Sequence, residues 1–306
     1  MKHEIKKILE EAKLAPSVLN SQPWQFRVCG NTIEVYFEKQ PELVEIDPAG
    51  RLQMASCGSL IAYISNAIEK NGWIAKIDYF PRFEEENLIA FIEIRDARDK
   101  NKFAGSVTDQ AQQADENRFS KLVLQSEISA IASARDVDLI IHRDGPDRQL
   151  QTYFKEKCGR KLESVTFQKH LTMLFRSGKS DPETSFEDEV LLSDRFFQST
   201  NPEPTGDASL VVENEPFLIL VTGTDNRYAW TRSGEVLANA LLLLKNTESI
   251  GLLALPIISK DPCCRDWLRE ELHIKGYPQF VLKMGDIRQR EHYRKRYLQE
   301  LIKYGF

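Results

Sequence analysis

The sequence lacks most of the signatures that fix a function at first reading. Its five cysteines, Cys29, Cys57, Cys158, Cys263 and Cys264, are odd in number and widely scattered, which excludes a disulfide framework and fits a reducing cytosol. Adjacent cysteines bridge only with strain, so Cys263-Cys264 reads as two reduced thiols at a helix start. The five histidines, His3, His142, His170, His273 and His292, stand at no metal-ligand spacing with them. There is no G-x-G-x-x-G run, no nucleophile–His–Asp constellation and no paired-carboxylate motif. The opening MKHEIKKILEE has no apolar core of a signal peptide. The longest apolar run, around Ala240 to Leu244, falls short of the roughly 20 residues of a membrane span. A net charge of −5 and a pI near 5.7 argue against nucleic acid or an anionic membrane as partner, although a local cluster such as Arg288 to Arg296 could hold one phosphate. A cytoplasmic location is expected.

What is present is the composition of a soluble globular chain, 42% apolar and 28% charged over 306 residues, enough for one large domain or two ordinary ones. Residues 2–14 carry Ile5, Ile8, Leu9 and Ala12 at helical spacing. Phe26 to Cys29 and Thr32 to Phe37 flank Gly30-Asn31 as a hairpin. Asp47-Pro48 starts a long helix that stops at Gly72. Trp73 to Phe80 and Leu88 to Ile94 form a strand pair, and the polar stretch Asp96 to Glu116 is the connector. Beyond it the pattern predicts a helix over Ser126 to Arg135, a strand over Val137 to His142 and a helix over Asp147 to Lys157. The stretch Arg176 to Ala208, rich in Ser, Asp, Glu, Pro and Thr, reads as a long excursion or lid. Then follow a buried strand from Pro216 to Gly223 and a helix from about Asn226 to Ile250. A helix from Cys263 to His273, a strand from Pro278 to Met284 and a basic helix from Ile287 to Tyr304 close the chain. The expected class is α+β, with helices packed on a central antiparallel sheet. There is a faint internal echo, in which Cys57-Gly58 and Ser233-Gly234 each open an apolar helix followed by a β-rich run.

The run Ala15 to Phe26, APSVLNSQPWQF, concentrates polar groups between two prolines. Pro16 and Pro23 stiffen its ends, and Ser17, Asn20, Ser21 and Gln22 cannot all face the chain's own core. On the residues alone the ordinary reading is a helix-to-strand turn with Trp24 as a core plug. The sharper one is a rigid loop that grips a flat, polar-edged ligand.

Pro16-Ser17 and Asn20-Ser21-Gln22-Pro23-Trp24 resemble, at seven of nine positions, the P-S-x-x-N-S-Q-P-W run of the flavin-dependent nitroreductase family. In that family the loop crosses a dimer interface to the edge of a bound FMN. Gly234 opening a leucine-rich helix, followed by Ile250-Gly251-Leu252-Leu253-Ala254-Leu255-Pro256-Ile257, is similar to the family's central helix and L-G-L-x-A-x-P-I run. The resemblance implies that Pro256, Ile257 and Ile258 line the flavin, with a backbone N–H reaching N5. Ile258 and Ser259 replace the usual acidic residue and glycine there. Arg294 and Arg296 fall in a run resembling the family's closing basic segment, where an arginine binds the FMN phosphate. Arg118 alone matches a second phosphate-binding run, with Ala114 and Glu116 in place of its other two members. Each arginine has the competing reading of a solvated surface charge.

The order of these pieces, together with Asp47-Pro48-Ala49-Gly50-Arg51 and Trp230 with Ser233-Gly234, resembles the Acg-like branch, in which two nitroreductase-like halves are fused in one chain. The resemblance implies halves at 1–112 and 113–306, a monomer with an internal pseudo-dimer or a weak homodimer, and a cofactor set made of Pro16, Ser17, Asn20, Arg118, Pro256, Ile257, Ile258, Arg294 and Arg296. It implies FMN as cofactor, NAD(P)H as transient reductant, and a nitroaromatic, quinone or similar small-molecule electron acceptor. A non-catalytic flavin-binding protein under a lid is the alternative expectation.

Overall fold

The computed structural model describes residues 2–44, 47–96, 121–142, 217–244, 250–255, 262–286 and 301–304. Among them are five α-helices and nine strands. The helices are α1 (Lys2–Ala12), α2 (Arg51–Lys70), α3 (Lys121–Ser133), α4 (Arg227–Leu244) and α5 (Pro262–Glu271). The strands are β1 (Trp24–Cys29), β2 (Thr32–Phe37), β3 (Trp73–Tyr79), β4 (Leu88–Asp96), β5 (Val137–His142), β6 (Phe217–Thr222), β7 (Ile250–Leu255), β8 (Tyr277–Asp286) and β9 (Ile302–Tyr304).

The class is α+β, as the pattern predicts, but the strands form two sheets where one central sheet was expected. The first runs β3-β4-β2-β1-β9 and the second β5-β6-β8-β7. Every pairing is antiparallel except that of β9, which lies parallel to β1. Set aside β9 and the two sheets are threaded identically. In each unit a helix leads into two antiparallel strands, a long helix and two more strands. The last of these pairs inward on the second, giving the spatial order third, fourth, second, first.

Helix α2 explains why two sheets exist. From Arg51 to Ile64 every residue is buried, so over that span the helix has no solvated face. One side meets α1 and the first sheet through Cys57, Leu60, Ile61, Ile64 and Ile68. The other meets α4 and the second sheet through Leu52 and Ala55, which share a core with Val236, Leu237, Leu218 and Phe280. Two long helices therefore make the middle layer. They touch at backbone distance: a Cβ on Gly58 would fall 1.9 Å from Thr231 O, and one on Gly234 1.9 Å from Ala55 O. The contacts are reciprocal, since Thr231 and Ala55 each lie three positions before the glycine of their own helix.

Several boundaries differ from the periodicity. Asp47 caps α2 with its carboxylate, through Leu52 N (3.1 Å) and Gln53 N (3.0 Å), but the helix itself starts at Arg51, after Gly50 at φ 74°. Ile250-Gly251 belongs to strand β7, not to the end of α4, because pairing with Asp286 and Gly285 claims those residues for the sheet. At the C-terminus Ile302–Tyr304 is a strand where a helix was expected, since it completes the otherwise open edge of β1. The expected helix at 147–157, the excursion at 176–208 and the boundary near 112 lie outside the described residues.

Candidate functional site

Residues 13–23 leave α1 and enter β1 as a loop locked from below by α2. Val18 N donates to Ser56 Oγ (3.0 Å), and that hydroxyl donates to Leu52 O (2.8 Å), one turn back. Gln22 N donates to Ser17 Oγ (3.1 Å), and Ser21 N donates to Val18 O (2.9 Å). The Cys57 thiol donates to Pro23 O (3.3 Å). Asn20 (φ 52°) and Gln22 (φ 46°) hold left-handed backbone conformations, each costing about 1–3 kcal/mol that the surrounding bonds must offset. Ser21, Gln22 and Trp24 are wholly buried, while Asn20 is partly exposed. Of the residues the sequence singles out here, Pro16 and Ser17 are buried and Ser17 acts as a turn cap. Asn20 sits at the loop's partly exposed bend.

Beside the end of β7 lies a polar network joining the two units, buried at Arg51, Gln279 and Thr222 and open to solvent at Asp225. Arg51, at the start of α2, donates through Nη1 to Gln279 O (2.8 Å) and Gln279 Oε1 (3.3 Å) in β8. Gln279 Nε2 donates to Thr222 Oγ1 (2.7 Å) and Asp225 Oδ1 (3.2 Å). Asp225 also accepts from Trp230 Nε1 (2.7 Å) and, bidentately, from Arg265 (2.8 and 3.1 Å). Arg265 Nε donates in turn to Pro278 O (2.9 Å). Burial, then the positive Arg265, push the Arg51 guanidinium down to about 9, with Asp47 and Asp225 opposing, so it is charged at neutral pH. Burial would raise the Asp225 carboxyl, but the bonds from Arg265 and Trp230 outweigh it and bring it down to about 2. Arg265 lies in the first turn of α5, just after the segment 256–261, and Gln279 lies in β8 two residues from Val281, the partner of Leu255 just before that segment.

The sequence carried weak signals for this network. Arg51 and Trp230 belong to the Acg-like resemblance, but Gln279, Asp225 and Arg265 carry no local mark, since Arg51 and Gln279 lie 228 residues apart.

A second corner occupies the matching place in the other unit. Offsets of 176 residues relate Gly58 to Gly234 (234 less 58), Arg51 to Arg227 (227 less 51) and the strand ends Tyr79 and Leu255 (255 less 79). By that offset Ser56 corresponds to Arg232 and Leu52 to Tyr228. Under the turn at 134–136, Arg232 donates to Tyr79 Oη (2.6 Å), to both Glu235 oxygens (3.1 and 3.0 Å) and to Ala134 O (3.4 Å). Its guanidinium also lies 4.9 Å from the centroid of the Tyr79 ring. Arg135 adds a bond to Glu235 (3.4 Å). Bulky charged and aromatic side chains thus plug this corner. At the other, the long loop 13–23 rests on the small Ser56.

The loop's own chemistry suits the edge of a flavin, whose carbonyl and N–H groups need short polar partners in a dry setting. Ser21 Oγ and Trp24 Nε1 are buried without a protein partner. Arg118, Pro256, Ile257, Ile258, Arg294 and Arg296 lie outside the described residues. Among the described residues no helix is long and apolar enough to cross a membrane.

The chain is similar to three proteins of Mycobacterium tuberculosis (strain H37Rv). One, named "Putative NAD(P)H nitroreductase Rv3131", is 27% identical over 305 residues, covering 92% of this chain and 84% of that protein. A second, Rv3127, is uncharacterized and 22% identical over 296 residues, 89% of this chain and 83% of its own length. A third, named for an NAD(P)H nitroreductase, acg, is 29% identical over 93 residues, 30% of this chain and 28% of its own length. No family model matches the sequence.

Proposed function

We propose that the chain is an FMN-dependent oxidoreductase of nitroreductase type, its two units being fused nitroreductase-like halves that form one flavin site within a single polypeptide. The observation that carries this reading is the repeat: two sheets threaded in the same order, with reciprocal close approach at Gly58 and Gly234. Similarity to a named NAD(P)H nitroreductase along 92% of the chain supports it. The asymmetry between the corners supports one site rather than two. The long loop 13–23 stands at one corner, while Arg232, Tyr79, Glu235 and Arg135 fill the other.

In this reading Pro16, Ser17 and Asn20 border the flavin edge, and the backbone from Pro256 to Ile258 faces its central ring. Arg118, Arg294 and Arg296 hold the phosphate, for which a planar guanidinium offers two parallel charge-assisted bonds. Bound FMN supplies the relay of electrons from NAD(P)H to a nitroaromatic, quinone or similar small acceptor. The chain's own contribution is placement. The 13–23 loop presents fixed polar groups, and the Arg51–Gln279–Asp225–Arg265 network lies beside the two flanks of 256–261. The reading places the protein in the cytoplasm and requires no second chain.

The test is to load the protein with FMN and add NADPH or NADH without oxygen. Bleaching of the visible flavin band, reversed by a nitroaromatic or quinone, is expected. A flavin that stays oxidised in excess of both nucleotides overturns the catalytic reading in favour of flavin storage.

A further inference from the structure

Among the described side chains with no solvent exposure at all, two have a polar atom that meets no partner: Ser21 Oγ and Trp24 Nε1. Both fall in the one run Asn20 to Trp24. The other buried polar side chains of the neighbourhood are satisfied: Ser17 by Gln22 N, Ser56 by Val18 N and Leu52 O, and Gln53 by Gln40 N and Asp47. A buried hydroxyl left without a partner opposes folding, and native chains rarely keep one for nothing.

The backbone around Ser21 sharpens the point. Ser21 itself has ordinary right-handed geometry (φ −67°, ψ −23°), while its two neighbours, Asn20 and Gln22, are both forced left-handed. Strain on either side, together with the Ser21 N to Val18 O bond, fixes where the Ser21 hydroxyl stands without giving it anything to bind. A hydroxyl both donates and accepts, so it can meet either a ring carbonyl or a ring N–H.

We propose that Ser21 is a direct hydrogen-bonding contact of the ligand held by this loop, which on the functional reading above is the pyrimidine edge of FMN. The inference rests on that reading and adds a residue to it. Ser21 meets the ligand with its side chain, whereas Ser17 is occupied in capping the turn.

The experiment compares the full-length chain with Ser21→Ala, measuring FMN affinity by quenching of flavin fluorescence and the melting temperature of the ligand-free protein. Loss of one such bond predicts affinity weakened about five- to tenfold, with the ligand-free melting temperature unchanged or higher. Unchanged affinity overturns the inference while leaving the functional reading intact. A clear fall in the ligand-free melting temperature also overturns it, because the hydroxyl would then be bonded within the protein. If the unaltered chain binds no FMN, the functional reading falls, and this inference with it.

Discussion

Gly58 and Gly234 are each other's counterpart: each lies against the other's helix so closely that a single added carbon would stand 1.9 Å from a backbone carbonyl oxygen. The obstructing atoms are main chain and cannot swing aside. Gly58→Ala and Gly234→Ala therefore force α2 and α4 apart, and each is expected to lose about 1–3 kcal/mol of unfolding free energy or more. Gly223→Ala, with nothing within 4 Å of the new carbon, should change it by no more than about 0.5 kcal/mol. Denaturant melts of the three variants check this; equal loss at Gly223 and Gly58 would contradict the close crossing.

Arg51 is a buried cation whose hydrogen-bond partner Gln279 belongs to the other unit. Arg51→Ala removes the positive charge that Asp47 faces and the donor to Gln279, while Asp225 keeps its pair with Arg265, and should cost about 3–5 kcal/mol. Gln279→Ala removes only the side-chain half of the contact and should cost less. A double-mutant cycle should show coupling of about 0.5–3 kcal/mol. Simple additivity would mean that the two side chains do not act together.

Asp225 carries the acid sensitivity of the same network. Its folded value, about 2, lies below the ordinary 3.8, so its contribution to stability is complete above about pH 4 and is lost as the pH falls toward 2. Unfolding free energy measured across that window should fall less steeply in Asp225→Asn than in the unaltered chain. Parallel slopes would remove Asp225 as a source of the acid response.

Arg296 is assigned to the FMN phosphate by the functional proposal. Arg296→Ala should weaken FMN binding while affinity for riboflavin, which has no phosphate, stays the same. Flavin fluorescence titrations with the two ligands separate the cases, and equal loss for both would take Arg296 away from the phosphate.

Local order was readable wherever it was written locally. The Gly30-Asn31 hairpin follows from β-rich runs around a turn pair, and β5 falls on Val137 to His142 because its residues have no competing periodicity. The 13–23 loop was readable from Pro16 and Pro23, which mark a helix-to-strand turn with Trp24 as its core plug. Failures came where partners far along the chain decide the outcome. Ile250-Gly251 extends an apolar helical pattern, yet β8 draws it into the sheet. Ile302–Tyr304 follows a basic helical pattern, yet the free edge of β1 takes it as a strand. The repeat left only a faint trace in the residues, a pair of glycines, because sheet order is preserved by pairing geometry and not by residue identity.

The most direct measurement is the stoichiometry of FMN binding together with the mass of the species that binds it. A site closed within one polypeptide predicts saturation at one FMN per chain, with no requirement for association. No binding, or half a flavin per chain appearing only as two chains associate, would contradict it.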